Sequence, residues 1–380
     1  MQQLFYILKR FREFDWILIS VVAVLIAISL AAIYSIDLSR AETLTYFPTQ
    51  IIALGIGVVL LVVLGSLHVT FYESSAKLVF LSSLALLVAV LFFGVTIRGT
   101  TGWFRVAGFS FQPAEFAKVA IVLMLAYVTA RQGRRYSRFG YIAVTGIPAA
   151  LTIGLILLQP DLGSALVIGA VWFCMLLFAG ARARYLIGIV LMLVIMFLLG
   201  WFFFFQPYQR DRLLVFLDPE RDPWGAGYNV SQSLIAIGSG NIFGRGLGFG
   251  SQSQLHFLPE AQTDFIFAVI AEELGFVGVL LVFVLYILLF WRLVRIARRA
   301  QDEFSAFAAL GVAAIFFVHV VFNIGAASGM LPVTGLTLPF LSYGGSSLII
   351  NLGLIGITLS LLSGSREPSS GDIQYLEVNE

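Results

Sequence analysis

The feature that most constrains this chain is a succession of apolar runs of about 20 residues, separated by short polar or glycine- and proline-rich connections. A run of that length covers a hydrocarbon core of roughly 30 Å as a helix. Helices keep every backbone hydrogen bond within the segment, which is what the absence of water in the bilayer demands. Composition agrees: 59% of the 380 residues are hydrophobic and 12% charged, where a soluble domain carries roughly 25% charge. The expected fold class is therefore all-α, a polytopic membrane protein with about ten transmembrane helices. The runs lie at roughly 16–36, 48–66, 77–97, 114–130, 139–158, 161–180, 185–205, 264–291, 304–328 and 346–363. Residues 1–363 read as one transmembrane domain with a large loop, 206–263, between spans seven and eight. The polar tail 364–380 is expected to be disordered.

The first run is too long for a signal-peptide core and ends in no small-residue cleavage pattern. A single cysteine, Cys174, excludes a disulfide framework, and His68, His256 and His319 lack metal-ligand spacing.

Charge orients the spans. Arg40, Arg98, Arg105, Lys118, Arg210, Arg212, Arg221 and Arg245 fall on one side or within it, and the other fifteen of the 23 Lys and Arg fall on the opposite side. By the positive-inside rule the richer side is cytoplasmic, with both termini. The 206–263 loop and Asp264 at its end are then extracytoplasmic. The basic cytoplasmic connections read as topological anchors.

Polar detail collects on the outer side. Gly99 to Gly108 is a turn-rich loop leading into Phe111-Gln-Pro-Ala-Glu-Phe-Ala-Lys118, and Leu158 to Ser164 is a second, tight loop. The 206–263 loop is glycine-rich and aromatic, and Gly329 to Ser347 carries Pro332, Pro339 and Gly344-Gly345 without a charge. Irregular backbone at membrane depth is tolerated only where protein packs on it or it lines a wet cavity.

Glu115 and Lys118 are three apart and share a helix face. Either alone would be costly to bury, while together they neutralise each other. They read as a bracing ion pair or as substrate contacts. Pro113 suits a first helical turn, and Gln112 caps it or faces the cavity. Asp161 suits a helix N-terminus or a polar contact with a sugar or another loop.

Asp264 opens the eighth run. Thr263 and Asp264 could cap that helix, but a carboxylate there could also face the aqueous cleft as a base. At 100° per residue Glu272 falls about 80° from Asp264 and Glu273 about 180° away. The three carboxylates cannot share one site, which disfavours a paired-carboxylate glycosidase. Gly244-Arg-Gly-Leu-Gly-Phe-Gly250 lacks the strand–turn–helix context of a nucleotide loop and reads as flexible loop structure. Ser342-Tyr-Gly-Gly-Ser-Ser347 opens the last span with amides and hydroxyls of the kind that bind phosphate, or forms a structural turn.

With these motifs in place, the chain from the first span to about Gly364 resembles the SEDS family (shape, elongation, division and sporulation), membrane proteins that polymerise lipid II into peptidoglycan glycan strands. The resemblance rests on Gln112 to Lys118, Gln159-Pro-Asp-Leu-Gly-Ser164, Tyr208-Gln-Arg-Asp-Arg212, Phe216-Leu-Asp-Pro219 and Gly227 to Ser233. Thr263 to Gly275 and Leu331 to Ser347 carry it most strongly. The Gly250 to Pro259 run looks closer to the elongation members than to the division members. One departure is Gly102-Trp103, where relatives usually have Arg-Trp; Arg105 lies nearby.

The resemblance implies that Asp264 is the catalytic aspartate and that Glu115 and Lys118 form a buried pair beside the cavity. The candidate substrate-binding or cavity-lining residues are Arg105, Gln112, Glu115, Lys118, Asp161, Arg210, Ser346 and Ser347. A peptidoglycan glycosyltransferase would transfer an undecaprenyl-linked glycan to lipid II, with undecaprenyl pyrophosphate leaving. No cofactor is specified by the resemblance. A divalent cation, Mg or Mn, would be held largely by substrate phosphates, because the sequence offers no acidic cage. The implied partner is a class B penicillin-binding protein, a transpeptidase; no nucleic-acid partner is expected. The implied location is the bacterial plasma membrane. The rival readings are a lipid II flippase, whose polar path must continue to the cytoplasmic face, a division-specific paralogue, and a scaffold that only recruits synthases.

Overall fold

The computed structural model describes residues 14–39, 44–97, 99–106, 109–133, 136, 139–204, 210, 214–218, 221–222 and 225–363. Helices form where the apolar runs lie. They are α1 (Trp16–Leu38), α2 (Tyr46–Ser66), α3 (Val69–Phe93), α4 (Pro113–Ala130), α5 (Phe139–Leu157), α6 (Leu162–Phe178) and α7 (Ala183–Leu199). A π-helical turn, Gly200–Phe204, extends α7. The 206–263 loop contributes α8 (Ala226–Ser239) and the one-turn α9 (Ser251–Gln254), followed by α10 (Ile266–Arg299), α11 (Glu303–Ala327) and α12 (Gly345–Ser363). The tail 364–380 and parts of the 206–224 motifs lie outside the described residues.

Helices α4, α11 and α12 form the centre, while α2, α3 and α7 present most of their surface outward, as lipid-facing helices would. Helix α12 packs on α2 where small residues let the backbones approach. A Cβ on Gly356 would sit 2.6 Å from the Leu61 carbonyl oxygen, so no larger residue fits. At one end of the bundle the Asp15 carboxylate caps α1 by accepting from Leu18 N at 3.1 Å. It also accepts from Arg292 Nε at 2.8 Å, tying the start of α1 to the end of α10.

Two departures from the sequence expectation are local. Helix α3 begins at Val69, earlier than the expected 77, because Thr70 to Ser75 continue the helix; Lys77 then sits 5.3 Å over the Tyr127 ring. The expected turn-rich loop is instead a small antiparallel sheet, β1 (Val95–Ile97), β2 (Thr100–Val106) and β3 (Phe109–Phe111), in that order. Its threonines, aromatics and β-branched residues favour pleated backbone.

The third departure moves the site. The expected continuous span 264–291 is broken at Gly275, whose φ of 65° and ψ of −164° interrupt the helix. In a straight helix Phe267 and Phe283 would be about 24 Å apart along the axis, yet their rings lie 6.2 Å apart. Farther along, the Ser342 hydroxyl donates to Thr263 O at 2.6 Å and the Tyr286 hydroxyl donates to Pro339 O at 2.7 Å. Residues 338–342 form one compact turn, Ser342 N donating to Leu338 O at 2.9 Å. Thr263 and Tyr286 therefore reach the same turn. The first arm of α10 (266–274) folds back beside the second (276–299), with Gly275 at the apex. Asp264 sits at the far end of the short arm, well below the apex, and not at the mouth of a span.

The glycine-rich run seats this apex. Arg245 N and Gly246 N donate to the Glu272 and Glu273 carbonyls at 3.0 and 2.9 Å, and Phe276 N and Val277 N donate to Asn241 O and Ile242 O at 2.9 and 3.1 Å. The run is a loop docked on this apex. A Cβ on Gly275 would lie 2.2 Å from Gly244 N. Backbone in this positive-φ region, essentially open to glycine alone, costs roughly 1–3 kcal/mol for a side-chain-bearing residue, and overpacking adds roughly 1–3 kcal/mol. Gly275→Ala is expected to lower the melting temperature clearly in detergent; an unchanged melt would contradict the folded-back arm.

Candidate active site

Pro113 starts α4 with its φ already helical, which sets Glu115 and Lys118 in its first turns, on one face. Lys118 Nζ donates to Glu115 Oε1 at 2.7 Å. Lys118 is only 2% exposed and Glu115 7%, so the pair is sealed and cannot touch substrate without moving. In this structure the pair braces α4. Lys118 has a further partner: its Nζ lies 3.0 Å from His319 Nε2. An ammonium only donates, so Nε2 accepts and Nδ1 carries the proton. His319 Nδ1 accordingly donates to Thr337 O at 2.8 Å.

One turn farther along α11, on the same face, Asn323 Nδ2 donates to Leu336 O at 2.8 Å and to the Asp264 carbonyl at 3.1 Å. Residues four apart on a helix thus lead Lys118 and Asp264 to the adjacent carbonyls of Thr337 and Leu336. Asp264 itself lies in the turn before α10 and is half-buried; the residue that caps the helix is Phe265. The Asp264 amide donates to Glu260 O at 3.2 Å, and the Ser342 hydroxyl, which accepts from Leu338 N within its own turn, donates to the neighbouring Thr263 O at 2.6 Å. Tyr343 N donates to Gln262 O at 2.8 Å, and its ring meets Tyr46 edge-on at 4.8 Å. Burial raises the Tyr343 phenol above its ordinary pKa, against the opposing effect of a Thr49 hydrogen bond.

The other carboxylates of the arm are used elsewhere. Glu272 accepts from Gln252 N and Ser253 N at 2.8 and 3.1 Å, holding the start of α9, and Glu273 accepts from the Ser35 hydroxyl and from Gly248 N. Both are buried, and their role is packing of the loop onto the arm.

The remaining expected residues divide. Asp161 caps α6 by accepting from Ser164 N at 2.9 Å and accepts from Gln112 Nε2 at 3.0 Å, linking the segments before α4 and α6; Gln112 makes no side-chain cap bond. Ser347 shares a hydroxyl contact of 3.0 Å with Thr337, beside the His319 contact, while Ser346 donates to Ser110 O at 2.5 Å. Arg105 is exposed on β2 and forms no ion pair among the described residues. Arg210 is half-buried, with its Nε enclosed and unpartnered. Neither is joined to the Asp264–Lys118 constellation. At Gly102 a Cβ would approach Gln159 Oε1 to 3.1 Å, so a larger residue must displace Gln159, which donates to Leu87 O at 3.3 Å. Among the described residues no three His, Cys, Asp or Glu side chains converge as a metal site.

His319 and Asn323 were not anticipated. The available signal was two polar residues one turn apart inside an apolar run.

A model of the FtsW/RodA/SpoVE cell cycle protein family matches residues 12–367. Peptidoglycan glycosyltransferase MrdB of Escherichia coli K12 is 44% identical over 312 residues, 81% of this chain and 83% of that protein. A probable peptidoglycan glycosyltransferase FtsW of Trichlorobacter lovleyi is 38% identical over 366 residues, covering 93% and 94%. Among solved structures, a chain described under structural coordination of polymerization and crosslinking by a peptidoglycan synthase complex superposes with a TM-score of 0.80 at 34% identity, covering 93% of this chain and 99% of that one. The rod shape determining protein RodA of Thermus thermophilus gives 0.71 at 32%, covering 93% and 98%. Coverage is near complete at both ends of the comparison, and the chain belongs to the FtsW/RodA/SpoVE family.

Proposed function

We propose that this chain is a peptidoglycan glycosyltransferase that polymerises lipid II into β-1,4-linked glycan strands for cell-wall elongation, with Asp264 as general base. The observation that supports the site is the delivery of Asp264 and the Lys118–Glu115 pair to adjacent carbonyls of one segment by Asn323 and His319. Asp264 takes the proton from the GlcNAc 4-hydroxyl of an incoming lipid II. That oxygen attacks C1 of the MurNAc at the reducing end of the lipid-linked strand. The bond from C1 to the phosphate oxygen breaks, and undecaprenyl pyrophosphate leaves with inversion at C1. Lys118, sealed from solvent, holds α4 against α11 and fixes the His319 tautomer. A divalent cation at the pyrophosphate would rest on substrate phosphates, and no step is assigned to it.

The partner that fits is a class B penicillin-binding protein, since a similar chain is solved within a synthase complex of polymerization and crosslinking. The transporter reading needs polar groups along the whole path. Among the described residues the buried charged side chains Asp37, Glu115, Lys118, Glu272 and Glu273 gather toward the Asp264 end, and only Asp15 lies toward the other. The chain with its partner is expected to convert labelled lipid II into a glycan ladder; transport of lipid II without polymer would overturn the proposal.

We place the chain in the bacterial plasma membrane with both termini cytoplasmic. The support is the excess of Lys and Arg on the side opposite Asp264. A reporter fused at the C-terminus should be active only if it folds in the cytoplasm, and periplasmic activity would reverse the orientation.

A further inference from the structure

The membrane face opposite Asp264 carries a feature that the proposed reaction does not use. A hollow of about 170 Å³ opens between the start of α1, the end of α10 and the end of α12. Arg292, Arg295 and Arg299 line one wall, at the three- and four-residue spacing that gives them one helix face. The facing wall includes Trp16, Ile17 and Leu362. Only Arg292 is neutralised, by Asp15. Arg295 stacks over the Trp291 ring at 5.1 Å, and neither it nor Arg299 forms an ion pair among the described residues. Among the described residues, three guanidinium groups face one carboxylate, an excess of two positive charges.

We propose that this hollow binds the phosphate of an anionic phospholipid of the surrounding bilayer. Three observations select a lipid over a peptide or a soluble anion. The charges sit against an apolar wall that suits acyl chains. Trp16 and Trp291, 49% and 51% exposed, stand beside it, and indoles of this kind mark the headgroup level of a membrane. Besides its charged groups and the Trp16 indole, the described lining has no amide or hydroxyl side chain to read a peptide backbone. Basic hollows between helix ends are where membrane electrostatics concentrates anionic headgroups, at roughly a fivefold gain per Arg. A lipid held there would join the ends of three helices that are distant in sequence.

The test uses the full chain in micelles doped with equal phosphatidylglycerol and phosphatidylcholine, with retained lipid counted by native mass spectrometry. The wild type is expected to retain phosphatidylglycerol preferentially. Arg295→Ala with Arg299→Ala should weaken that retention roughly 30-fold, leaving the Asp15–Arg292 tie in place. Arg295→Lys with Arg299→Lys should keep most of it, which separates lost charge from misfolding. Equal retention of the two lipids, or unchanged retention in the Ala pair, would overturn the proposal. So would displacement of phosphatidylglycerol by millimolar inorganic phosphate, which would mark a soluble-anion site.

Discussion

Asp264→Asn is expected to cut glycan polymerisation by about 10²–10⁴-fold, the range that general-base help supplies. The substitution keeps the shape of the side chain and the backbone bonds that hold the turn, namely the Asn323 contact to the Asp264 carbonyl and the Asp264 amide to Glu260 O. What it removes is the capacity to accept a proton. The fold should survive, so a loss of polymer reports on chemistry. Gel-resolved glycan from labelled lipid II reads the rate, and a melting curve on the same sample reads the fold. A folded Asp264→Asn protein that polymerises at the wild-type rate would remove the base from the mechanism.

The largest stability effect is expected at Lys118. Lys118→Met leaves Glu115 buried and uncompensated, with Oε2 already lacking a hydrogen bond, and deprives His319 Nε2 of its donor. Breaking one side of a buried pair costs about 3–5 kcal/mol. The double change Glu115→Gln with Lys118→Met removes both charges and should recover a large share of that loss. Melts of the single and double variants in one detergent decide the matter. If the double variant is no more stable than the single, the cost lies in packing around α4 and not in the orphaned carboxylate.

Apolar length made the bundle readable from sequence. The bilayer leaves a run of about 20 such residues little choice but a helix. The Glu115–Lys118 pair was readable for a similar reason, because two opposite charges three apart on a helix must meet. Gly275 was not read correctly. Helical arithmetic carried Asp264, Glu272 and Glu273 along one continuous axis, whereas the backbone turns over at Gly275 and Asp264 precedes the helix altogether. The eighth run was longer than a membrane requires and held a glycine within it, which is the local trace of the fold-back. Nothing local could show that Glu272 and Glu273 clamp residues 248–254, since that depends on where the 206–263 loop docks. His319 and Asn323 illustrate the opposite case: their spacing was visible, but their partners lie in α4 and in the 336–337 segment, far away in the chain.

The turn at 338–342, on which both arms of α10 rest, has a consequence for how the protein is made. Asp264 is synthesised nearly 80 residues before Ser342, yet its turn is closed by Ser342, and the neighbouring Thr337 is held by Ser347 at the head of the final helix. A nascent chain that has inserted everything up to α11 therefore carries the proposed base without a seat for it. The contacts around the proposed base are completed only when the last helix is in place, so a chain arrested or cut before Gly345 is expected to be unable to act on lipid-linked precursors.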